Sequence, residues 1–227
     1  KWAVYPDLPG SEVTQPRSQE LNYRPENAFT EGGFLKLRLN LEGATWTAGG
    51  VESKSNVPGD SVCLVVRAKG GVSTFNDNVL SAIWMQNRPL SQAGASDPNP
   101  ETDIQEFIRS NQMHSALHTW TYNSTTQTFD HRGGTDENPP WMREGAAGAD
   151  LVDSFHNYAM KRENNVLTFF LDGVEQYTMP LPTEYQNQFN WGRHMVLSLQ
   201  GNPTGPPSDQ LPLPVDFEVD FVHVFTP

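Results

Sequence analysis

The chain has 227 residues, 36% of them hydrophobic and 19% charged, with a net charge of −12 and a pI near 4.8. A sandwich or barrel of this length folds as one unit, so a single domain over 1–227 is expected, and the charged fraction is too low for a disordered or coiled-coil chain. The acidity argues against nucleic acid or an anionic membrane surface as partner, and no apolar run approaches the ~20 residues that span a bilayer.

The periodicity is that of strands. Leu35, Leu37 and Leu39 alternate with Lys36, Arg38 and Asn40, a half-buried strand. Val62 to Lys69 and Leu80 to Gln86 are denser in apolar residues and read as central strands. Cys63, the single cysteine, lies in the apolar run Val62 to Val66 and is expected to be a buried, inert thiol without a disulfide partner. Val166–Leu171, Asp172-Gly173 and Val174–Met179 form a hairpin signature, because Asp-Gly supplies the positive φ angles of a type I′ turn. Met195, Leu197 and Leu199 alternate with Val196, Ser198 and Gln200. The last strand, Val215 to Phe225, sets Phe217, Val219 and Phe221 on one face and Asp216, Glu218 and Asp220 on the other. With 18 Gly, 18 Pro and no helical repeat, the chain is expected to be an all-β sandwich of two antiparallel sheets. Segments 87–100, 126–154 and 201–214 read as long loops, candidates for the walls of a site.

Three carboxylates crowd the segment Glu101-Thr-Asp-Ile-Gln-Glu106, which itself reads as a strand. Residues two apart share a face, so Glu101 and Asp103 point together while Thr102 and Ile104 turn to the core. Strict alternation would turn Glu106 inward, and an unpaired buried carboxylate is costly. A β-bulge around Ile104-Gln105 restores Glu106 to the open face and sends Phe107 inward. Two carboxyls about 5–5.5 Å apart are the apparatus of a retaining glycosidase. An acidic strand edge or half of a calcium site is the competing use of the same residues. His114 and His118 stand ~13 Å apart along a strand, too far to share a metal ion, so no metal site is expected there; His118 is a candidate for a substrate hydrogen bond.

Set between Ala82-Ile-Trp84-Met85 and the strand His114 to Trp120, the E-x-D-x-x-E string resembles the family 16 glycoside hydrolases. The likeness continues through Arg67-Ala-Lys69, Phe155-His-Asn-Tyr158, Leu171-Asp-Gly173 and Glu218-Val-Asp-Phe-Val222. It implies a β-jelly-roll with a substrate cleft on its concave face, with Glu101 as nucleophile, Asp103 assisting it and Glu106 as acid/base. Several segments look most like κ-carrageenases: Lys69-Gly-Gly-Val-Ser-Thr-Phe75, Leu117-His118-Thr119, Trp141-Met-Arg-Glu-Gly145, Trp191-Gly-Arg193-His-Met195 and Ser198-Leu-Gln-Gly201. The resemblance therefore implies a secreted or surface-exposed hydrolase, of marine bacterial type, that cuts β-1,4 linkages within a sulfated red-algal galactan. Agarase, porphyranase and laminarinase activities are the alternatives within the family, and a sandwich lectin or carbohydrate-binding module is the alternative outside catalysis. No cofactor is required, and a monomer is expected. The family's structural calcium would have Asp220 as its one ligand here, because the chain start lacks the usual acidic residues. Thr102 stands where the family usually has a branched aliphatic residue.

Sugar rings stack on aromatic faces, which makes Trp84, Trp141 and Trp191 the binding candidates, while Trp2, Trp46 and Trp120 read more readily as packing. Sulfate groups suit arginine forks. Arg88, Arg109, Arg132, Arg143 and Arg193 fall near the expected cleft, with Arg88, Arg143 and Arg193 taken as substrate contacts and the last two preferred for sulfate.

Overall fold

The computed structural model describes residues 2–4, 21–73, 77–86, 99–123, 125–126, 128–134, 141–146, 148, 150–201 and 207–226. Among these, the alternating segments become two stacked sheets. The first runs β1 (Trp2–Val4), β6 (Gly50–Ser53), β16 (His194–Gly201), β8 (Val79–Gln86), β9 (Asn99–Glu106), β10 (Gln112–Asn123), β11 (Thr128–Gly133), with β12 (Met142–Ala146) also on β10. The second runs β15 (Val174–Pro180), β14 (Val166–Leu171), β13 (His156–Glu163), β7 (Val62–Lys69), β17 (Val215–Phe225), β4 (Phe34–Glu42), β5 (Thr45–Ala48), β2 (Leu21–Tyr23), with β3 (Ala28–Glu31) also on β4. Pairing is antiparallel except between β2 and β5.

The core lies between the sheets. Leu37, Leu39, Leu64, Val66, Phe107, Phe169, Leu197, Leu199 and Phe217 are fully buried there. Each such side chain contributes about 1.5–3 kcal/mol on leaving water. A second, smaller cluster of Leu80, Ala82, Trp84 and Val196 sits on the outer face of the first sheet, with Tyr23 and Ile108 against it. That cluster explains why β8 is buried along its whole length.

The Asp172-Gly173 hairpin takes positive φ at both residues, 49° and 81°, as its turn type requires. Strand β7 alternates strictly, with Val62, Leu64, Val66 and Ala68 inward. Cys63 therefore turns outward and is partly exposed, against the expectation of a buried thiol. Strand β17 carries a bulge: Val219 pairs with Ala68 and Phe221 with Arg67, leaving Asp220 as the extra residue. Phe221 thus leaves the face of Phe217 and Val219, where simple alternation had placed it.

The segment expected to be one loop over 126–154 contains β11 and β12. Both are flanking strands of polar composition, Thr-Phe-Asp-His-Arg-Gly and Met-Arg-Glu-Gly-Ala, which hides them from a hydrophobic count. Residues 87–98 and 202–206 of the other expected loops lie outside the described residues. The described helices are short: Pro25–Asn27 and Thr183–Tyr185 in 3-10 form, and one turn at Gln186–Phe189 that buries Phe189. No described helix is long and apolar enough to cross a membrane.

Candidate active site

The ladder between β8 and β9 breaks once. Ala82 pairs with Glu106 and Ile83 with Gln105, but Trp84 pairs with Asp103 and Gln86 with Glu101. Ile104 is the unpaired residue of a β-bulge, and the two-residue side-chain period restarts after it. Glu101, Asp103 and Glu106 consequently share the outer face of the first sheet, while Thr102, Ile104 and Phe107 are buried on the other side.

Side chains staple this irregular backbone. Ser115 Oγ donates to the Ile104 carbonyl at 2.7 Å. Gln105 Nε2 donates to the carbonyls of Glu106 at 3.1 Å and Gln112 at 3.3 Å, and Gln105 Oε1 accepts from the His114 amide at 3.1 Å. The amide group of Gln105 thus supplies hydrogen bonds that the ladder drops past Asp103–Ala116.

Strand β10 presents His114, Ala116, His118 and Trp120 to the same outer face, with His118 directly opposite Glu101. Trp120 Nε1 donates to Glu101 Oε2 at 2.9 Å. His118 Nε2 lies 3.2 Å from Asp103 Oδ2, and its Nδ1 lies 2.8 Å from Nε2 of His131 on β11. The His131 ring is 4.2 Å from that of Trp120, so the three rings nest together above the carboxylates. Gly133 makes room for this packing: a Cβ there would stand 2.7 Å from His118 Nδ1. At the other end, His114 Nδ1 lies 3.3 Å from Glu106 Oε2, and its Nε2 4.0 Å from Glu144 Oε1.

Charge is concentrated here. Asp103 is buried at 4% exposure, and Glu101 and Glu106 are half-buried. Burial, followed by the charge of Asp103, pushes Glu101 up to about 8; Glu106 adds to the rise, and His118 and the Trp120 hydrogen bond oppose it. Burial disfavours the His114 cation, but Glu106, Asp103 and Glu144 together hold its pKa above the ordinary histidine value. Glu101 carries its rise where the Trp120 indole and Asp103 crowd it. Asp103 and Glu106 each oppose ionisation of Glu101, so the carboxyls of this face titrate as a coupled group.

The sequence matches the model of glycosyl hydrolases family 16 over residues 17–212. The chain belongs to that family. No curated relative matches the sequence. Solved structures of the same fold include the endo-β-1,3-glucanase of Pyrococcus furiosus, at 16% identity and TM-score 0.73, covering 99% of this chain and 88% of that one. The laminarinase of Flavobacterium sp. UMI-01 is 20% identical with TM-score 0.71, covering 99% and 93%. β-Agarase A in complex with oligoagarose is 17% identical with TM-score 0.73, covering 100% and 83%. These likenesses establish the family 16 sandwich, and the family is one of endo-acting glycosidases.

Several expected substrate contacts stand elsewhere in this family 16 domain. Arg193 is buried at 2% exposure on the inner side of β9, where its Nη1 donates to Thr102 Oγ1 at 2.5 Å. It cannot meet a sulfate in the cleft. Arg143 pairs with Ser115 on the face away from His114, and its Nη1 donates to the Met142 carbonyl. Trp141 packs edge-on against Tyr185 in the core. Trp84 does lie on the carboxylate face, directly opposite Asp103, but it is packed into the outer-face cluster with its Nε1 donating to Ser198 Oγ at 3.0 Å. With exposures of 8% and 2%, neither ring offers a stacking face. Trp191 is exposed at 42%, while Arg88 lies outside the described residues. His118 belongs to the site through Asp103. Trp120 and His131 join the carboxylates by cross-strand register, Trp120 on the face of His118 and His131 opposite Trp120, a placement that neither strand's own alternation announces.

The calcium implied by the resemblance does not fit the described residues. Asp220 Oδ2 already receives Arg67 Nη1 at 2.5 Å, and the cavity it borders is lined mainly by Trp2, Val4, Leu35, Val219 and Phe221. Calcium needs six to eight oxygen ligands.

Proposed function

We propose that the chain is a retaining, endo-acting glycoside hydrolase in which Glu101 is the nucleophile and Glu106 the acid/base. The observation that carries this reading is the bulge that brings Glu101, Asp103 and Glu106 to one face of β9. In the first step Glu101 attacks the anomeric carbon as the glycosidic C–O bond breaks, and Glu106 gives its proton to the leaving oxygen. In the second, Glu106 takes a proton from water, whose oxygen displaces Glu101 and frees the new reducing end. Asp103, held by His118, shares charge with Glu101, and Trp120 steadies the ionised nucleophile. Glu101→Gln is expected to lower reducing-end release at least ~10³-fold while oligosaccharide binding persists; full activity would rule the assignment out. A non-catalytic lectin would need no such carboxylate pair.

For the substrate we propose a carrageenan-type galactan with little sulfate, of the β-carrageenan or furcellaran kind. The family segments around Trp141 and Trp191 support the galactan. The low sulfation is supported by charge, because Arg132 and Arg143, the long basic side chains on the described strands of the first sheet, both pair with inner-face residues. The same feature favours a second reading, a neutral β-1,3-glucan, the polymer named for two of the similar structures. Agarose and porphyran follow. A polymer of this size would be met outside the cell or at its surface, so secretion is part of the proposal. Side-by-side digestion of κ-carrageenan, β-carrageenan, furcellaran, agarose, porphyran and laminarin tests it: release from laminarin alone would favour the glucan.

A further inference from the structure

Two arginines are buried behind the catalytic strand. Arg193 and Arg162 are each 2% exposed. Arg162 is satisfied by the Phe189 carbonyl and Asn190 Oδ1. Arg193 is not matched so fully: its Nη1 bonds Thr102, its guanidinium lies 5.4 Å from the Phe189 ring centroid, and its Nε is buried with no hydrogen-bond partner among the described residues. A buried cation held by one hydroxyl is expensive unless its charge is used. The nearby negative charge is Asp103, the residue after Thr102, on the far face of the same strand.

We propose that Arg193 is a positioning residue for the reaction: it clamps the catalytic strand through Thr102 and places a fixed positive charge behind the carboxylates. The proposal rests on the assignment of Glu101 and Glu106 above. Thr102, the one core-side departure from the family pattern within the motif, is the acceptor that a branched aliphatic residue would lack. Burial, and then Arg162, pull Arg193 down to about 9, while Asp103 supports its charge, so it remains a cation at neutral pH. On the cleft side the charged and titratable groups facing Asp103 and its neighbours are Glu101 and Glu106 on β9, His114 and His118 on β10, His131 on β11 and Glu144 on β12. Removing the positive charge therefore makes ionisation of the cluster harder.

The test is the pH dependence of kcat/KM on a polysaccharide that the enzyme cuts. Arg193→Met alone leaves Thr102 unpaired, so it is paired with Thr102→Val to restore an apolar interior. The double variant is expected to keep thermal stability close to that of the parent, yet to move the acidic limb up by about one pH unit. That shift is a roughly tenfold loss on the acid side, seen in kcat with KM little changed. Arg193→Lys, which keeps the charge, is expected to hold the limb within a few tenths of a unit. A folded double variant whose profile superimposes on the parent would overturn the proposal, as would an Arg193→Lys profile displaced as far as that of Arg193→Met. Glu101→Gln serves as the control: activity in that variant sinks the catalytic assignment itself, whatever Arg193 does.

Discussion

At the scale of single residues, the Trp120 indole governs the Glu101 carboxylate most directly. Its N–H bond at 2.9 Å favours the ionised form against burial and two neighbouring acids. Hydrogen bonds to charged groups contribute ~1.5–3 kcal/mol, so Trp120→Phe is expected to lower kcat/KM about 10–100-fold and to move the acidic limb upward in a pH–rate profile. Glu101 also ties stability to pH. Its folded pKa of about 8 lies above the ordinary carboxyl value, so between those two values the folded state holds a proton that the unfolded chain releases. Stability is then full below the unfolded pKa and falls as pH rises toward 8. Thermal melts of the parent should decline across that window. Glu101→Gln should flatten the decline and melt higher than the parent at neutral pH, alongside the loss of activity expected of it.

At the scale of elements, the bulge in β9 does the work of placing acids, and Gln105 holds the bulge. Gln105→Ala removes hydrogen bonds at three backbone groups and is expected to cost about 2–3 kcal/mol, visible as a melting point lower by roughly 4–12 °C. Because Glu106 then loses its fixed bearing, kcat should drop roughly 10–100-fold. Much of this element was legible in the chain itself: Glu101 and Glu106 differ in parity, Phe107 must be inside, and an inserted residue reconciles them. The hairpin at Asp172-Gly173 was legible for the same local reason. Trp120 and His131 were not, because their approach to Glu101 depends on cross-strand register, which no single strand records. Arg193 escaped for another reason. It precedes β16 at an isolated bridge to Val57, so no alternating pattern announced that its side chain turns between the sheets.

At the scale of the whole molecule, the two outer faces of the sandwich have different characters. The first sheet exposes the acidic cleft, and the second pairs its charges across strands, as in Arg38 with Asp216 at 2.8 and 2.9 Å. With a net charge of −12, the protein repels a polyanion at distances that salt shortens from ~30 Å at 0.01 M to ~3 Å at 1 M. If a sulfated galactan is cut, kcat/KM should rise several-fold over that range, whereas on laminarin it should stay nearly constant; steady-state assays in graded NaCl separate the two. The outward turn of Cys63 has a practical corollary. The chain has a single thiol, and it sits on the sheet that faces away from Glu101 and Glu106. A maleimide tether attached there would fix every molecule to a support in one orientation, the face of Glu101 and Glu106 toward the liquid.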